Sequence, residues 1–181
     1  MQLKRPWKFL LAIGLITMMG IPVVASAEDG PSILFLVRHA EKDDGPDPPL
    51  SESGQKRAQT LARMLAESGI GHVHSTNYVR TLETAAPVAE RLGLEIRIYD
   101  PTQLQELADT LLREGGRHLV VGHSNTTPDL VALLGGEPGE AIEDAWEYDR
   151  LYLVIPDSHG KTSEVLMRYG APSTNSLKKP D

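Results

Sequence analysis

Ile33-Leu34-Phe35-Leu36-Val37-Arg38-His39 is the stretch from which the fold of this chain can be read. Five consecutive apolar residues, three of them β-branched or aromatic, match a strand buried on both faces, because an alternating pattern would leave one face wet. The run then stops abruptly in an arginine and a histidine. Stranding a guanidinium at the end of a buried strand costs several kcal/mol unless a partner receives it. The stretch therefore sets two expectations, a parallel sheet covered on both sides and a polar site where this strand ends.

Working outward, helix-like and strand-like segments alternate. Asp43–Pro49 is rich in Pro and Asp and reads as a loop. Ser51 is an N-cap for a helix carrying Ala58, Leu61, Ala62 and Leu65 at i, i+3, i+4, i+7 spacing and ending at Gly69. Ile70–His74 reads as a short strand. Tyr78–Leu92 has helical periodicity through Leu82, Ala85, Ala89 and Leu92, with Pro87 expected to kink or split it. Glu95–Tyr99 alternates as a strand does, and Thr102–Glu114 reads as a helix burying Leu104, Leu107, Leu111 and Leu112. His118–Val121 is a further strand and Pro128–Leu134 a further helix. Leu151–Ile155 and Val165–Tyr169, either side of Ser158-His159-Gly160, form an expected hairpin. The pattern predicts an α/β domain with three layers (α/β/α) around a mostly parallel central sheet. In such sheets ligands bind beyond the carboxyl ends of the strands.

Composition bounds the rest. Lys4, Arg5 and Lys8, the uncharged apolar run Phe9–Val24 and Ala25-Ser26-Ala27 have the layout of a secretory signal over 1–27. The expected location is then periplasmic or secreted, with no stable membrane association after cleavage; retention of the segment as an anchor is the alternative. The working domain is expected over 28–171, followed by a polar tail at 172–181. The leader carries three basic residues and no acid, so its removal takes the formal charge from −7 to −10. So acidic a domain is a poor partner for nucleic acid or anionic lipid. The chain has no cysteine, which excludes disulfides, thiolate metal sites and a cysteine nucleophile.

Three strand ends carry the candidate chemistry. The first delivers Arg38 and His39, the second leads through Ser75–Val79 to Arg80, and the strand at His118–Val121 delivers Gly122, His123 and Ser124. Singly, such histidines are ordinary turn residues and an arginine at a helix start is ordinary surface. Together at one sheet edge they suit a phosphate, which both arginine and a helix N-terminus favour. His72, His74, His118 and His159 read instead as turn or surface residues, and no pair has the spacing of a metal site. Trp146 and Tyr148 read as core or pocket wall.

Arg38-His39-Ala40 resembles the Arg-His-Gly signature of the histidine phosphatase superfamily, which includes the cofactor-dependent phosphoglycerate mutases. Ser75–Ala85 resembles its second conserved block, Val121–Ser124 its third, and Leu50–Gly54 has its usual spacing. The resemblance implies a phosphoglycerate mutase-like fold over Ile33–Tyr169 and no cofactor or metal. It also implies a phosphatase acting on a small phosphorylated substrate. His39 would be the nucleophile that becomes phosphohistidine, Arg38 and Arg80 would clamp the phosphate oxygens, His123 would neutralise the transferring group, and Ser124 would help bind substrate. His39 must then be neutral, whereas His123 is free to be protonated. Many relatives place a proton-donating glutamate in an insertion that is short here. Asp100 and then Glu106 are the substitutes, or the chain has no dedicated acid. Mutase activity fits poorly with so little sequence for a lid. A phospho-sugar binding module and a protein phosphohistidine phosphatase are the alternatives.

Overall fold

A computed structural model describes residues 31–157, 159 and 161–174. The signal-like segment 1–27, the tail residues 175–181 and two residues of the hairpin loop, Ser158 and Gly160, lie outside the described residues. The elements run β1 (Ile33–Arg38), α1 (Glu52–Met64), β2 (His72–Ser75), α2 (Val79–Leu92), β3 (Ile96–Ile98), α3 (Leu104–Glu114), β4 (Arg117–Gly122), α4 (Thr126–Leu133), β5 (Arg150–Pro156) and β6 (Thr162–Arg168). The sheet order is β3-β2-β4-β1-β5-β6. The first four strands are parallel, and the β5/β6 hairpin adds two antiparallel strands beside β1.

The sheet's pleat sorts β1 between two cores. Leu34 and Leu36 join Leu107, Leu111, Leu130 and Val131 under α3 and α4. Val37 faces the other way and joins Leu61, Ala62, Ala85 and Val88 under α1 and α2. Each leucine or valine so buried contributes about 1.5–3 kcal/mol. This is the expected three-layer α/β/α sandwich, and it explains why β1 and β4 read as continuous apolar runs.

Local signals mark the start of α1 but not its end, since the helix stops at Met64 with Leu65 as its C-cap, ahead of the expected Gly69. Ser51 caps α1, its hydroxyl accepting from the Gly54 N–H. Gly54 is required because its backbone lies against the Glu41 carbonyl with no room for a Cβ. Helix α2 continues through Pro87 instead of splitting. Its buried stripe is Thr81, Thr84, Ala85, Val88 and Ala89, rotated from the apolar positions because two threonines turn inward to bind backbone. Leu112, expected in the core, is 45% exposed; the inward stripe of α3 is Leu107, Ala108 and Leu111.

Two of the histidines are also not where composition put them. His74 and His118 are buried in the sheet, on the neighbouring strands β2 and β4. His74 Nε2 lies 3.0 Å from His118 Nδ1, and His118 Nε2 donates to the Gly115 carbonyl at 2.6 Å. Buried imidazoles are tolerated when both ring nitrogens find partners.

Candidate active site

The β1/β4 ladder does not stop with the strands. The His39 N–H donates to the Gly122 carbonyl at 2.9 Å, which sets residue 39 beside residue 122 and His39 near His123. Their rings stand edge to face with centroids 5.6 Å apart. Gly122 is needed at this junction: a Cβ would meet Thr127 Oγ1 at 2.9 Å and Tyr99 Oη at 3.0 Å. Beyond it the chain turns into α4, with Thr126 Oγ1 accepting from the His123 N–H.

His39, His123, Arg80, Lys42, Tyr78, Ser124 and Asp144 line an open depression of about 430 Å³ over the carboxyl ends of the parallel strands. A larger groove, about 610 Å³, lies between α1 and α2, where solvated side chains such as Glu52, Lys56, Arg63 and Glu90 share its wall. It contains none of the histidines.

Both histidines are held for chemistry. His39 Nδ1 contacts the Ala40 carbonyl at 2.8 Å. A carbonyl only accepts, so Nδ1 carries the proton and Nε2 keeps its lone pair. Burial, with Arg38, Arg80 and His123 nearby, pushes the His39 pKa down to about 3. His123 is hydrogen-bonded through Nε2 to Thr76 Oγ1 at 3.0 Å, and burial with the same two arginines lowers it to about 4. Both imidazoles are therefore neutral at physiological pH, including the one that was free to be charged.

The arginines are not equivalent. Arg80 lines the depression, with Cζ 4.5 Å from the Tyr78 ring centroid and Nη1 3.3 Å from Asp47 Oδ1. Asp47 also accepts from the Val79 N–H, capping α2. Arg38 lies deeper, 1% exposed, stacked on Tyr148 with Cζ 4.1 Å from the ring centroid. All four of its Nη hydrogens are engaged, by the carbonyls of Glu143, Glu147 and Asp144 and by Asp144 Oδ1. In each arginine Nε is buried with no hydrogen-bond partner among the described residues.

The loop that receives Arg38 is itself anchored. Glu147, 4% exposed, accepts from Arg150, Arg168 and the Glu143 N–H. Burial opposes its charge, but these donors overcome it and hold the carboxyl near 2. Ser173, in the expected tail, accepts from the Tyr148 N–H and donates its own N–H to Asp149. Glu41, two residues after His39, turns away and forms a two-bond pair with Arg57, while Lys42 faces the depression.

Asp100 and Glu106 do not reach this site. Asp100 Oδ1 accepts from the Thr102 N–H and hydroxyl, which holds its carboxyl below the usual range, and both residues line a separate groove between β3 and α3. The carboxylate at the histidines is Asp144, which sequence reading missed. It sits in an irregular loop with no periodicity, and only the acidic cluster Glu140, Glu143, Asp144, Glu147 marks the segment. Thr76, inside the Ser75–Ala85 block, is the residue that holds His123.

His72, Glu114 and His118 offer ligand-type atoms within 4.8 Å of one another. Both His118 nitrogens are already engaged, and Glu114 Oε2 pairs with Arg97 at 2.7 Å. A cation there would have to break those contacts.

Residues 34–110 match the family model described as histidine phosphatase superfamily (branch 1). Over 71 residues the chain is 39% identical to phosphoserine phosphatase 1 of Hydrogenobacter thermophilus, covering 35% of this chain and 34% of that protein. Over 89 residues it is 35% identical to a probable phosphoglycerate mutase of Serratia proteamaculans, covering 45% and 40%. The chain thus spans about a third to two fifths of the length of these curated relatives. Among solved structures, the protein histidine phosphatase SixA complexed with tungstate superposes with a TM-score of 0.61 at 21% identity, over 75% of this chain and 96% of that one. A putative phosphohistidine phosphatase SixA from Agrobacterium tumefaciens gives 0.58 at 19%, over 78% and 99%. At such identities the structural likeness carries the fold, which is phosphoglycerate mutase-like, and residues 34–110 carry the match to the histidine phosphatase superfamily (branch 1).

Proposed function

We propose that this protein is an exported phosphatase that hydrolyses small phosphate monoesters through a phosphohistidine on His39. One observation carries the reading. His39 Nδ1–H is fixed on the Ala40 carbonyl, so the unprotonated Nε2 belongs to a ring that lines the depression beside His123 and Arg80. In the first step Nε2 attacks phosphorus, the N–P bond forms, and the ester P–O bond breaks with its electrons leaving on the alcohol oxygen. Water then attacks phosphorus, the N–P bond breaks, and inorganic phosphate leaves with Nε2 restored. Phosphoryl transfer needs mainly charge held around the equatorial oxygens. Arg80 supplies it, with the buried Arg38 holding the site positive from below, while the uncharged His123 and Ser124 add polar contacts.

Asp144 is a poor general acid. Its hydrogen bond from Ser124, and Arg38 beside it, hold the carboxyl below the usual range, so it is ionised near neutral pH. The reading therefore favours substrates whose alcohol departs without strong protonation. Export rests on the leader pattern of residues 1–27. The test is turnover of an activated aryl phosphate by the full chain, with and without vanadate, beside His39→Ala. Vanadate-sensitive turnover that vanishes in the variant is expected. Protection against heat by phosphate without any turnover would replace the enzyme by a binding module.

A further inference from the structure

We propose that Asp144 selects substrates by charge, so that the site accepts phosphomonoesters with a neutral or cationic alcohol part and disfavours those carrying a second anion. This rests on the pocket being a phosphate site, as in the function proposed above. Asp144 Oδ1 receives Arg38 Nη2 at 2.7 Å and Ser124 Oγ at 2.6 Å. These are two donors from residues that the sequence resemblance assigns to substrate. The side chain is 78% exposed although its arginine partner is 1% exposed. Its carboxylate is thus a negative cap on a buried cation, facing the same depression as His39.

The second arginine repeats the arrangement, since Asp47 Oδ1 lies 3.3 Å from Arg80 Nη1. Each guanidinium arrives with its own carboxylate, and both histidines are uncharged. Phosphate still has donors to use: the Arg80 Nη groups beyond Asp47, and Ser124 and Arg38 Nη2 once Asp144 turns aside. Arg38 keeps its carbonyl partners when Asp144 turns, and a phosphate oxygen takes the carboxylate's place on Nη2, so the buried guanidinium is not left without an anion. The carboxylates nevertheless stay at the rim, where the alcohol part of the ester must lie. A second carboxylate or phosphate on the substrate meets like charge there, and an ammonium group meets opposite charge. For unit charges about 6 Å apart at an exposed rim, the expected discrimination is roughly tenfold.

The experiment uses the full chain and three alkyl phosphates of similar size: 2-aminoethyl phosphate, propyl phosphate and carboxymethyl phosphate. Their binding is read by thermal-shift titration, and their inhibition constants against aryl phosphate turnover are measured in parallel. Asp144→Asn keeps the Oδ1 acceptor for Ser124 and Arg38 and removes only the charge. The native protein is expected to bind the aminoethyl ester at least tenfold more tightly than the carboxymethyl ester, with propyl between. The variant should compress that ratio to within about threefold, and added salt should compress it in the native protein. Equal binding of the three esters, no binding of any, or a ratio unchanged in Asp144→Asn would overturn the proposal. Charge-ordered binding without aryl phosphate turnover would retain Asp144 selectivity and reject the hydrolase. Turnover without charge order would do the reverse.

Discussion

The chain buries two pairs of histidines against its central sheet, and they have opposite fates. His39 and His123 stand at the carboxyl ends of β1 and β4; His74 and His118 lie within β2 and β4, in the body of the sheet. Burial lowers the pKa of all four, to about 3 for His39 and His74 and about 4 for His123. Neutrality is therefore not what marks a reactive imidazole. The difference lies in where the lone pairs go. The nitrogens of His118 are spent on His74 and the Gly115 carbonyl, while His39 spends only Nδ1 and retains Nε2 on a ring that lines a depression with Arg80. One pair satisfies the fold, and the other leaves one ring nitrogen, His39 Nε2, without a hydrogen-bond partner among the described residues.

The largest expected effect separates the pairs by substitution. His39→Gln should lower aryl phosphate turnover by at least roughly 10³-fold with little change in melting temperature. His74→Gln should leave kcat/KM within about threefold and instead shift stability. Comparable losses of activity in both would erase the distinction. Next in size, Arg80→Ala should cost about 10²–10³-fold in kcat/KM, as expected for removing a preorganised charge from the transition state. Thr76→Val removes the hydrogen bond that orients His123 and should cost less, about tenfold, chiefly in kcat.

The pH dependences sharpen the same contrast. His39 loses its lone pair only as pH falls through the lowered native values. The acid limb of kcat/KM, corrected for the substrate's own ionisation, should therefore lie near pH 3–4. A limb at the ordinary histidine value of 6.5 would contradict the geometry. For His74 the sign follows from linkage. Its native pKa lies below the unfolded one, so the unfolded chain binds more protons between them. Stability is fully present above pH 6.5 and declines as pH falls from there toward about 3. His74→Gln should flatten the melting-temperature curve across that window, by a few degrees at pH 5. A curve of unchanged slope would show that His74 does not titrate on unfolding.

Much of this could be read from the chain. Ile33–Val37 announces a doubly covered strand, and the three strand-end motifs point to one sheet edge, where His39, Arg80, His123 and Ser124 line the depression with Arg38 buried beneath. Long-range pairing was less legible. His74 and His118 look like surface residues singly, because what buries them is the β2/β4 register joining residues 44 apart in sequence. Leu112 matched the helical period and still faces out, because the docking angle of α3 presents Leu107, Ala108 and Leu111 instead. Asp100 had the right place in sequence to supply an acid, but a carboxylate two residues before a threonine binds its own turn first.

Local sequence determined the elements, their order and the residues at the strand ends, because hydrophobic period, caps and backbone-shaped motifs act over a few residues. Tertiary structure alone decided which groups those residues meet. It buried Arg38 under Tyr148, brought Asp144 and Asp47 onto the two arginines, and engaged both ring nitrogens of His118 while leaving Nε2 of His39 open. Charge and hydrogen-bond satisfaction depend on distances of a few ångströms between segments far apart in the chain, and those distances exist only once the sheet has closed.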